Sequence, residues 1–296
     1  MFILSSRNSQ NLFIACAALL LVAGCFCRSD NAGDTGNLDE PAASTPEVTA
    51  SNRGPANAPG KRVDKGDFLV EMADEVSPRY KKIDEQIKEE KLLQKAADQL
   101  NRALVLPEDI TLRAKDCGEQ NAFYDPNDRS VTMCYELMER FYQTFRSAGD
   151  AENVAYGKMF DAVRFVFLHE IGHALIDVYK LPVTGGEEDA ADRLAAFVNL
   201  RELGDEGVRA VFAAADAFEI ESKHAGTAKR NLADEHLLQE QRFYNSLCMI
   251  YGSNPAKYEK IVSDGYLPKE RAVRCKTEYQ RTVESWTTLL EPWRKN

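Results

Sequence analysis

The sequence Phe165-Val-Phe-Leu-His169-Glu170-Ile-Gly-His173-Ala-Leu-Ile176 decides the fold of this chain. Apolar residues recur on nearly every side of it, which predicts a long helix that is largely buried. On such a helix His169 and His173 are one turn apart and share a face. Glu170 is rotated by about 100° from His169, so it points to one side of that face. The stretch therefore presents two imidazoles and a neighbouring carboxylate on one rigid element.

Two imidazoles at this spacing can bind one Zn²⁺ ion, each at about 2.0–2.1 Å. Glu170 cannot reach the ion but can reach the water molecule that the ion activates, which is the logic of the H-E-x-x-H pattern. The alternative is an ordinary helix with satisfied polar residues. Burying these groups without partners is costly, and the chain has only 4 histidines, so a chance match is rare. We therefore predict His169 and His173 as zinc ligands and Glu170 as general base.

A catalytic zinc ion usually has three protein ligands and a water molecule, so a third ligand is expected downstream. Neither of the two histidines that follow the motif has the spacing of the metzincin extension. The run Gly186-Glu-Glu-Asp-Ala-Ala-Asp192 offers carboxylates at a predicted helix N-terminus, where acids suit the helix dipole. This run is the predicted source of the third ligand.

Within that run, Glu188-Asp-Ala-Ala-Asp192 resembles the E-x-x-x-D motif of gluzincin metallopeptidases, in which a second helix supplies the third ligand and a further acid. The resemblance implies Glu188 as the ligand. It implies Asp192, one turn on, as the acceptor for the far N–H of a zinc-binding histidine. Glu187 and Asp189 stay open as replacements for Glu188, or as solvated acids of the first turn. Small residues would let this helix approach the first one closely: Ala190, Ala191, Ala195 and Ala196.

The chain from 67 to 296 also resembles, over nearly its whole length, a bacterial family of metallopeptidases whose substrate is unassigned. The resemblance implies a zinc-peptidase fold and no particular substrate. It rests on Asn121-Ala-Phe-Tyr-Asp-Pro126, the H-E-I-G-H helix, Glu187–Asp192, the stretch Asp234-Glu-His to Gln241-Arg-Phe-Tyr-Asn245, and two cysteine pairs.

Three residues in the last of these stretches are further candidates for the site. Gluzincins commonly place a His or Tyr from a downstream helix opposite the zinc ion, where it stabilises the tetrahedral oxyanion. His236 and Tyr244 are the candidates for this catalytic role, and Arg242 could bind a substrate carboxylate or hold an acid. The alternatives are a helix-cap neighbour for His236, a core aromatic for Tyr244 and a surface ion pair for Arg242.

An apolar run near the N-terminus, Leu12–Phe26, is 15 residues long. This length is short for a membrane span and typical of a signal peptide. The run includes Val22-Ala-Gly-Cys25, which resembles the lipobox of bacterial lipoproteins and implies lipidation of Cys25. A plain secretory signal that is cut nearby is the alternative. We expect an exported lipoprotein, at the periplasmic face of the outer membrane or at the cell surface, with the lipid as its membrane contact.

The domain boundaries follow from composition. The signal peptide takes residues 1–24. From Arg28 to Gly66, four prolines lie among small and polar residues, and no aromatic residue occurs. Such a stretch cannot bury enough apolar area to fold, so 25–66 is predicted to be a disordered tether. The catalytic domain is then 67–296.

This domain begins with a helical pattern from Ser77-Pro78 to about residue 103. An extended segment, Ile110–Ala114, follows. A predicted hairpin comes next, with Asn121–Tyr124 and Ser130–Tyr135 joined through the turn Asp125-Pro-Asn-Asp128. The rest of the domain has helical periodicity. The predicted fold class is α+β: a mostly helical, zinc-peptidase-like domain with a small antiparallel sheet.

Four cysteines lie in this domain, and an even number in an exported protein suggests disulfides. Three pairings are possible. Nearness in sequence favours Cys117–Cys134, which flanks the predicted hairpin, and Cys248–Cys275. Free buried thiols are the alternative.

Composition excludes two classes of function. With 37 basic and 47 acidic residues the net charge is −10, which argues against a nucleic-acid partner, and the mean hydropathy of −0.42 argues against a polytopic membrane protein. The motifs predict a zinc-dependent metallopeptidase for a peptide or protein substrate, with Ser130–Tyr135 as an open strand edge for an extended peptide. The alternatives are a lipoprotein that holds a peptide or partner without cutting it, and a hydrolase of peptidoglycan cross-links.

Overall fold

A computed structural model describes residues 62–224 and 235–295 of the chain. The predicted signal peptide (1–24), the lipidation site Cys25 and most of the predicted tether (25–66) lie outside the described residues and stay predictions.

The end of the predicted tether contacts the helical body. The Gly66 N–H donates a hydrogen bond to the carbonyl oxygen of Leu106 at 3.0 Å. A Cβ at Gly66 would lie 2.1 Å from the backbone of Glu108, so only glycine fits at this crossing. The guanidinium of Arg62 lies 4.4 Å from the ring centre of Trp293. The ordered body therefore begins a few residues before position 67.

The described residues form a mostly helical α+β fold, as predicted. No helix among them is both long and apolar enough to cross a membrane. The elements are β1 (Phe68–Met72), α1 (Lys81–Glu89), α2 (Leu92–Ala103), β2 (Ile110–Lys115), β3 (Ala122–Asp125), β4 (Ser130–Cys134), α3 (Tyr135–Ser147), α4 (Glu152–Tyr179), α5 (Glu187–Glu202), α6 (Gly204–His224), α7 (Gln239–Ser253), α8 (Lys260–Ser263), α9 (Lys269–Leu290) and a final 3-10 turn (Glu291–Trp293).

The sheet has the strand order β1-β2-β4-β3. The predicted hairpin is confirmed as β3 and β4, which pair antiparallel. The rest of the sheet is parallel, because β1 pairs with β2 and β2 pairs with β4 in the same direction. The prediction of an antiparallel sheet was therefore wrong: the chain passes beyond β4 before it turns back, and β1 was not predicted at all.

This order also changes which strand lies at the edge. β4, predicted as the open edge, lies between β2 and β3 and is buried along its whole length. The edge strand on that side is β3, which packs against α4.

The helical pattern from 77 to 103 forms two helices rather than one. The chain breaks at Lys91, which has a φ of 52° in the left-handed region. The break redirects the chain so that apolar residues of both α1 and α2 reach the core, Ile87 from the first and Leu93 from the second.

Helix α4 is the predicted H-E-x-x-H helix, and most of its second half is buried. It packs against α5, where a Cβ on Gly172 would lie 3.0 Å from the Ala191 Cα. Ala191, one of the small residues predicted to allow a close approach, thus lies at the contact between the two helices. Both predicted disulfides are present, Cys117–Cys134 and Cys248–Cys275.

Candidate metal centre

Helices α4 and α5 bring His169, His173 and Glu188 together. The two Nε2 atoms are 3.1 Å apart, and the Glu188 carboxylate lies 3.0 Å from His169 Nε2 and 3.3 Å from His173 Nε2. Four ligands at 2.0–2.1 Å around a tetrahedral ion are separated by about 3.3–3.4 Å. The two Nε2 atoms and the Glu188 carboxylate, with Oε2 facing His169 and Oε1 facing His173, therefore form a triangle of nearly the size that one zinc ion requires.

The far nitrogens of both histidines face carboxylates. Asp192 Oδ1 is 2.8 Å from His169 Nδ1, and Glu187 Oε1 is 2.8 Å from His173 Nδ1. Because an ionised carboxylate only accepts hydrogen bonds, each Nδ1 must carry a proton. In neutral histidines both Nε2 lone pairs then point at the carboxylate of Glu188, which is also an acceptor.

Three acceptors that converge without a donor require a cation or extra protons. The Glu188 Oε2 atom is buried and has no hydrogen-bond partner, although imidazole nitrogens lie within 3.0 Å of it. The donor set of two imidazoles and one carboxylate is that of catalytic zinc sites. These residues therefore fit a resident divalent metal ion.

The pKa values report the same need for positive charge. Burial lowers the pKa of His169, but the neighbouring carboxylates of Asp192 and Glu188 outweigh it and raise this pKa to about 9. Burial raises the pKa of Glu188, yet the three surrounding histidines hold it well below its usual range. Without a metal ion the cluster binds protons, so metal and protons compete for it.

Asp192 is fixed by a buried arginine. Arg242 Nε and Nη2 donate to the two oxygens of Asp192 at 2.8 and 2.7 Å, and the guanidinium lies 4.2 Å from the ring centre of Phe218. Only 12% of the Arg242 side chain is exposed. The structure thus favours the acid-holding alternative for Arg242 over substrate binding.

Glu170 is buried beside the two histidines. Burial raises the pKa of Glu170, and the neighbouring imidazoles of His169 and His173 lower it. The Tyr124 N–H donates a hydrogen bond to the Glu170 carboxylate. The Tyr124 hydroxyl in turn donates to Asp177 Oδ2 at 2.7 Å. One residue of the edge strand β3 therefore contacts α4 at both Glu170 and Asp177.

Residues 73–290 match the DUF4344 family, whose description is "Putative metallopeptidase". The chain belongs to this family. No curated protein and no solved structure matches it. Membership supports metal-dependent peptide hydrolysis as the class of reaction and implies a metal cofactor and a peptide or protein substrate.

The stretch that matches the family includes the two downstream candidates. His236 is brought to the centre: its Nε2 lies 2.9 Å from Glu188 Oε2, and its ring stacks on that of His169 with centroids 6.1 Å apart. Tyr244 is not brought to it by any contact among the described residues. It lies about 200° around α7 from Arg242, is half-exposed, and lines a separate small pocket with Pro268.

The two alternative ligands of α5 have other partners. Glu187 contacts His173 from the outer side, as described above. Asp189 accepts a hydrogen bond from Arg193 at 2.7 Å and lines a cleft on the other side of the helix. The geometry therefore favours Glu188 as the third ligand.

Sequence reasoning assigned no role at this site to Tyr124 or Asp177. Asp177 had a signal, since it continues the four-residue spacing of His169 and His173 along the same face of α4. Tyr124 lies in the stretch Asn121–Pro126 that carries the family resemblance, but nothing local indicates that β3 lies over α4.

Proposed function

We propose that this chain is a zinc-dependent metallopeptidase that hydrolyses peptide bonds in an extended substrate. The observation that carries the proposal is the triangle of His169, His173 and Glu188 ligand atoms, 3.0–3.3 Å apart, with Glu170 buried beside it. Family membership supports the class of reaction, and the donor set supports zinc.

A bound zinc ion would polarise the scissile carbonyl and acidify the attacking water. Glu170 would accept the proton of that water and deliver it to the leaving amine. The hydrogen bond from the Tyr124 N–H holds one end of the Glu170 carboxylate, so the base is oriented before the substrate arrives.

His236 is proposed to stabilise the developing oxyanion. Its imidazole is half-exposed and close to the ligand triangle, so it can face a bound substrate as well as Glu188. A donor aimed at the oxyanion contributes about 2.7–4 kcal/mol in enzymes that use one.

The edge strand β3 supports an extended substrate. The Cys134 N–H donates to the Asn121 carbonyl at 3.2 Å, which makes this a hydrogen-bonded pair of the hairpin. Alternation along the strand then turns the backbone of Ala122 and Tyr124 away from β4. Since the Tyr124 N–H donates to Glu170, the backbone of Ala122 and the Tyr124 carbonyl are the groups proposed to pair with a peptide. A peptide that pairs with this edge would be held mainly by its backbone, so cleavage should tolerate many sequences.

The test is metal content and cleavage for the wild type, Glu170→Gln and the control Glu202→Gln, an exposed acid at the end of α5. The wild type and the control should bind one zinc ion and cleave unstructured protein in a chelator-sensitive way. Glu170→Gln should keep the zinc ion and lose at least a hundredfold in rate. Full activity in Glu170→Gln would refute the mechanism.

The same preparations separate the alternatives. A zinc-loaded wild type that binds peptides and cleaves none in a library would be a binding protein. Cleavage of muropeptides but not of linear peptides would make it a peptidoglycan hydrolase.

We also propose, from the sequence of residues 1–66, that the protein is exported and anchored through a lipid on Cys25. Mass spectrometry of the mature N-terminus tests this proposal. An unmodified N-terminus cleaved elsewhere would contradict it.

A further inference from the structure

The second oxygen of the proposed zinc ligand faces another potential ligand. Glu188 Oε1 lies 3.3 Å from His173 Nε2, and Glu188 Oε2 lies 3.0 Å from His169 Nε2 and 2.9 Å from His236 Nε2. The neighbouring carboxylate of Glu235 offers an oxygen, and this oxygen and the Glu188 and His236 ligand atoms all lie within 4.8 Å of one another. A second group of three ligand atoms therefore adjoins the first group and shares Glu188 with it.

The contact between Glu188 and His236 is short, but it does not satisfy the carboxylate oxygen of Glu188. Glu188 Oε2 is buried and lacks a partner at hydrogen-bonding angles, with imidazole nitrogens of both His169 and His236 close by. A carboxylate can bind one cation with each oxygen, as in two-metal enzymes whose ions lie about 3.5–4 Å apart. Glu188 Oε2 lies between His169 of the first group and His236 of the second, so the carboxylate is placed to bridge two ions.

The charge and accessibility of this group suit a cation as well. It contains two carboxylates and one imidazole, a mixed oxygen and nitrogen set that suits Zn²⁺ or Mn²⁺. The nearby guanidinium of Arg242 donates hydrogen bonds to Asp192. Glu235 is exposed, and 42% of the His236 side chain is exposed, so an ion can enter from solvent.

We propose that Glu188, Glu235 and His236 form a second divalent-cation site that shares the Glu188 carboxylate with the first. The second ion binds more weakly, because its ligands are more exposed and must be ordered. It inhibits hydrolysis, since it engages the imidazole that faces the oxyanion. The inhibitory effect rests on the proposed function, whereas the binding of a second ion does not.

The test is a Zn²⁺ titration of the metal-free, full-length protein by calorimetry, with the bound metal counted after desalting at a set of free zinc concentrations. Five proteins are compared: the wild type, Glu188→Gln, Glu235→Gln, His236→Asn and the control Glu89→Gln, which removes an exposed acid of α1. Circular dichroism verifies that each is folded.

We expect two ions in the wild type and in the control, bound in a tight and a weak step. Glu235→Gln and His236→Asn should keep the tight step and lose on the order of tenfold or more in affinity at the weak step. Glu188→Gln should weaken both steps, which a remote second site would not do. Excess zinc should slow hydrolysis by the wild type, and should slow Glu235→Gln much less, relative to its own rate at one equivalent.

One ion in the wild type at all zinc concentrations would overturn the second site and leave the proposed function standing. A second ion that binds Glu235→Gln and His236→Asn with wild-type affinity would lie elsewhere, which would also overturn the second site. Two ions that behave as expected in a protein that cleaves no peptide would support the second site and refute the peptidase.

Discussion

The contrast between Asp192→Asn and Glu187→Gln tests how the metal centre is built. Each change removes the negative charge opposite one Nδ1 atom, from His169 in the first case and from His173 in the second. Losing such a partner typically weakens metal binding by about 10–100-fold, or about 1.4–2.7 kcal/mol. We expect both variants to show this loss.

Stability should separate the two variants. Asp192 also pairs with Arg242 through two hydrogen bonds, and the two side chains are only 18% and 12% exposed. Asp192→Asn therefore leaves a guanidinium without its counter-charge in the interior, which costs about 3 kcal/mol or more. Glu187 is half-exposed and has no second partner of this kind among the described residues, so Glu187→Gln should change stability by less than about 0.5 kcal/mol.

The measurements are zinc affinity by competition with a chromophoric chelator and urea unfolding of the metal-free proteins. Removing the metal matters, because a bound ion adds its own stabilisation. For a domain of this size, 3 kcal/mol also corresponds to a fall in melting temperature of about 6–12 °C. A metal-free Asp192→Asn protein as stable as the wild type would refute the role of the arginine pair. Wild-type zinc affinity in both variants would refute the role of the outer carboxylates.

Three further predictions concern helix packing, pH and the edge strand. Gly172→Ala should lower stability by about 1–3 kcal/mol and weaken zinc binding, because its Cβ would meet Ala191 and push α5 from α4; unchanged chelator competition would contradict this. The pKa of His169 is about 9 in the folded protein and about 6.5 in the unfolded chain. Protonation of His169 therefore stabilises the metal-free fold fully below pH 6.5, and this stabilisation is lost as the pH rises towards 9. The metal-free urea midpoint should therefore fall over this range, and a flat midpoint would contradict the assignment. Tyr124→Phe should keep zinc but reduce turnover, because the hydrogen bond to Asp177 that holds β3 against α4 is lost. An unchanged rate would show that the position of β3 does not affect catalysis.

The sequence predicts best what a single helix determines. The spacing of His169 and His173 places both imidazoles on one face whatever surrounds α4, and the offset of Glu170 follows from the same geometry. The third ligand depends on a second helix, and the choice among three adjacent acids came from a motif resemblance. Only the packing of α5 distinguishes Glu188, which faces the histidines, from Asp189, which faces away.

Contacts between distant segments could not be predicted in the same way. Strand order in a sheet depends on where the chain passes between strands, and no residue of β2 or β4 encodes that they are neighbours. The prediction of an antiparallel sheet was therefore wrong, whereas the prediction of the hairpin and its turn residues was confirmed. The pairing of Arg242 with Asp192 could not be predicted for the same reason, because 50 residues separate the two.

The balance of charge relates the arginine, the carboxylates and the imidazoles of the candidate metal centre to one another. Arg242 neutralises Asp192, which leaves Glu170, Glu187 and Glu188 as three carboxylates around two neutral imidazoles. Burying such a group is costly unless positive charge accompanies it. At low pH protons on the histidines supply that charge, and above their raised pKa values only a metal ion can. The centre is thus stable in two ways, protonated or metal-loaded, and the second is the one that leaves Glu170 free to act as a base. A surplus of acids that extends to Glu235 is the reason to expect that one divalent ion does not exhaust the capacity of the site.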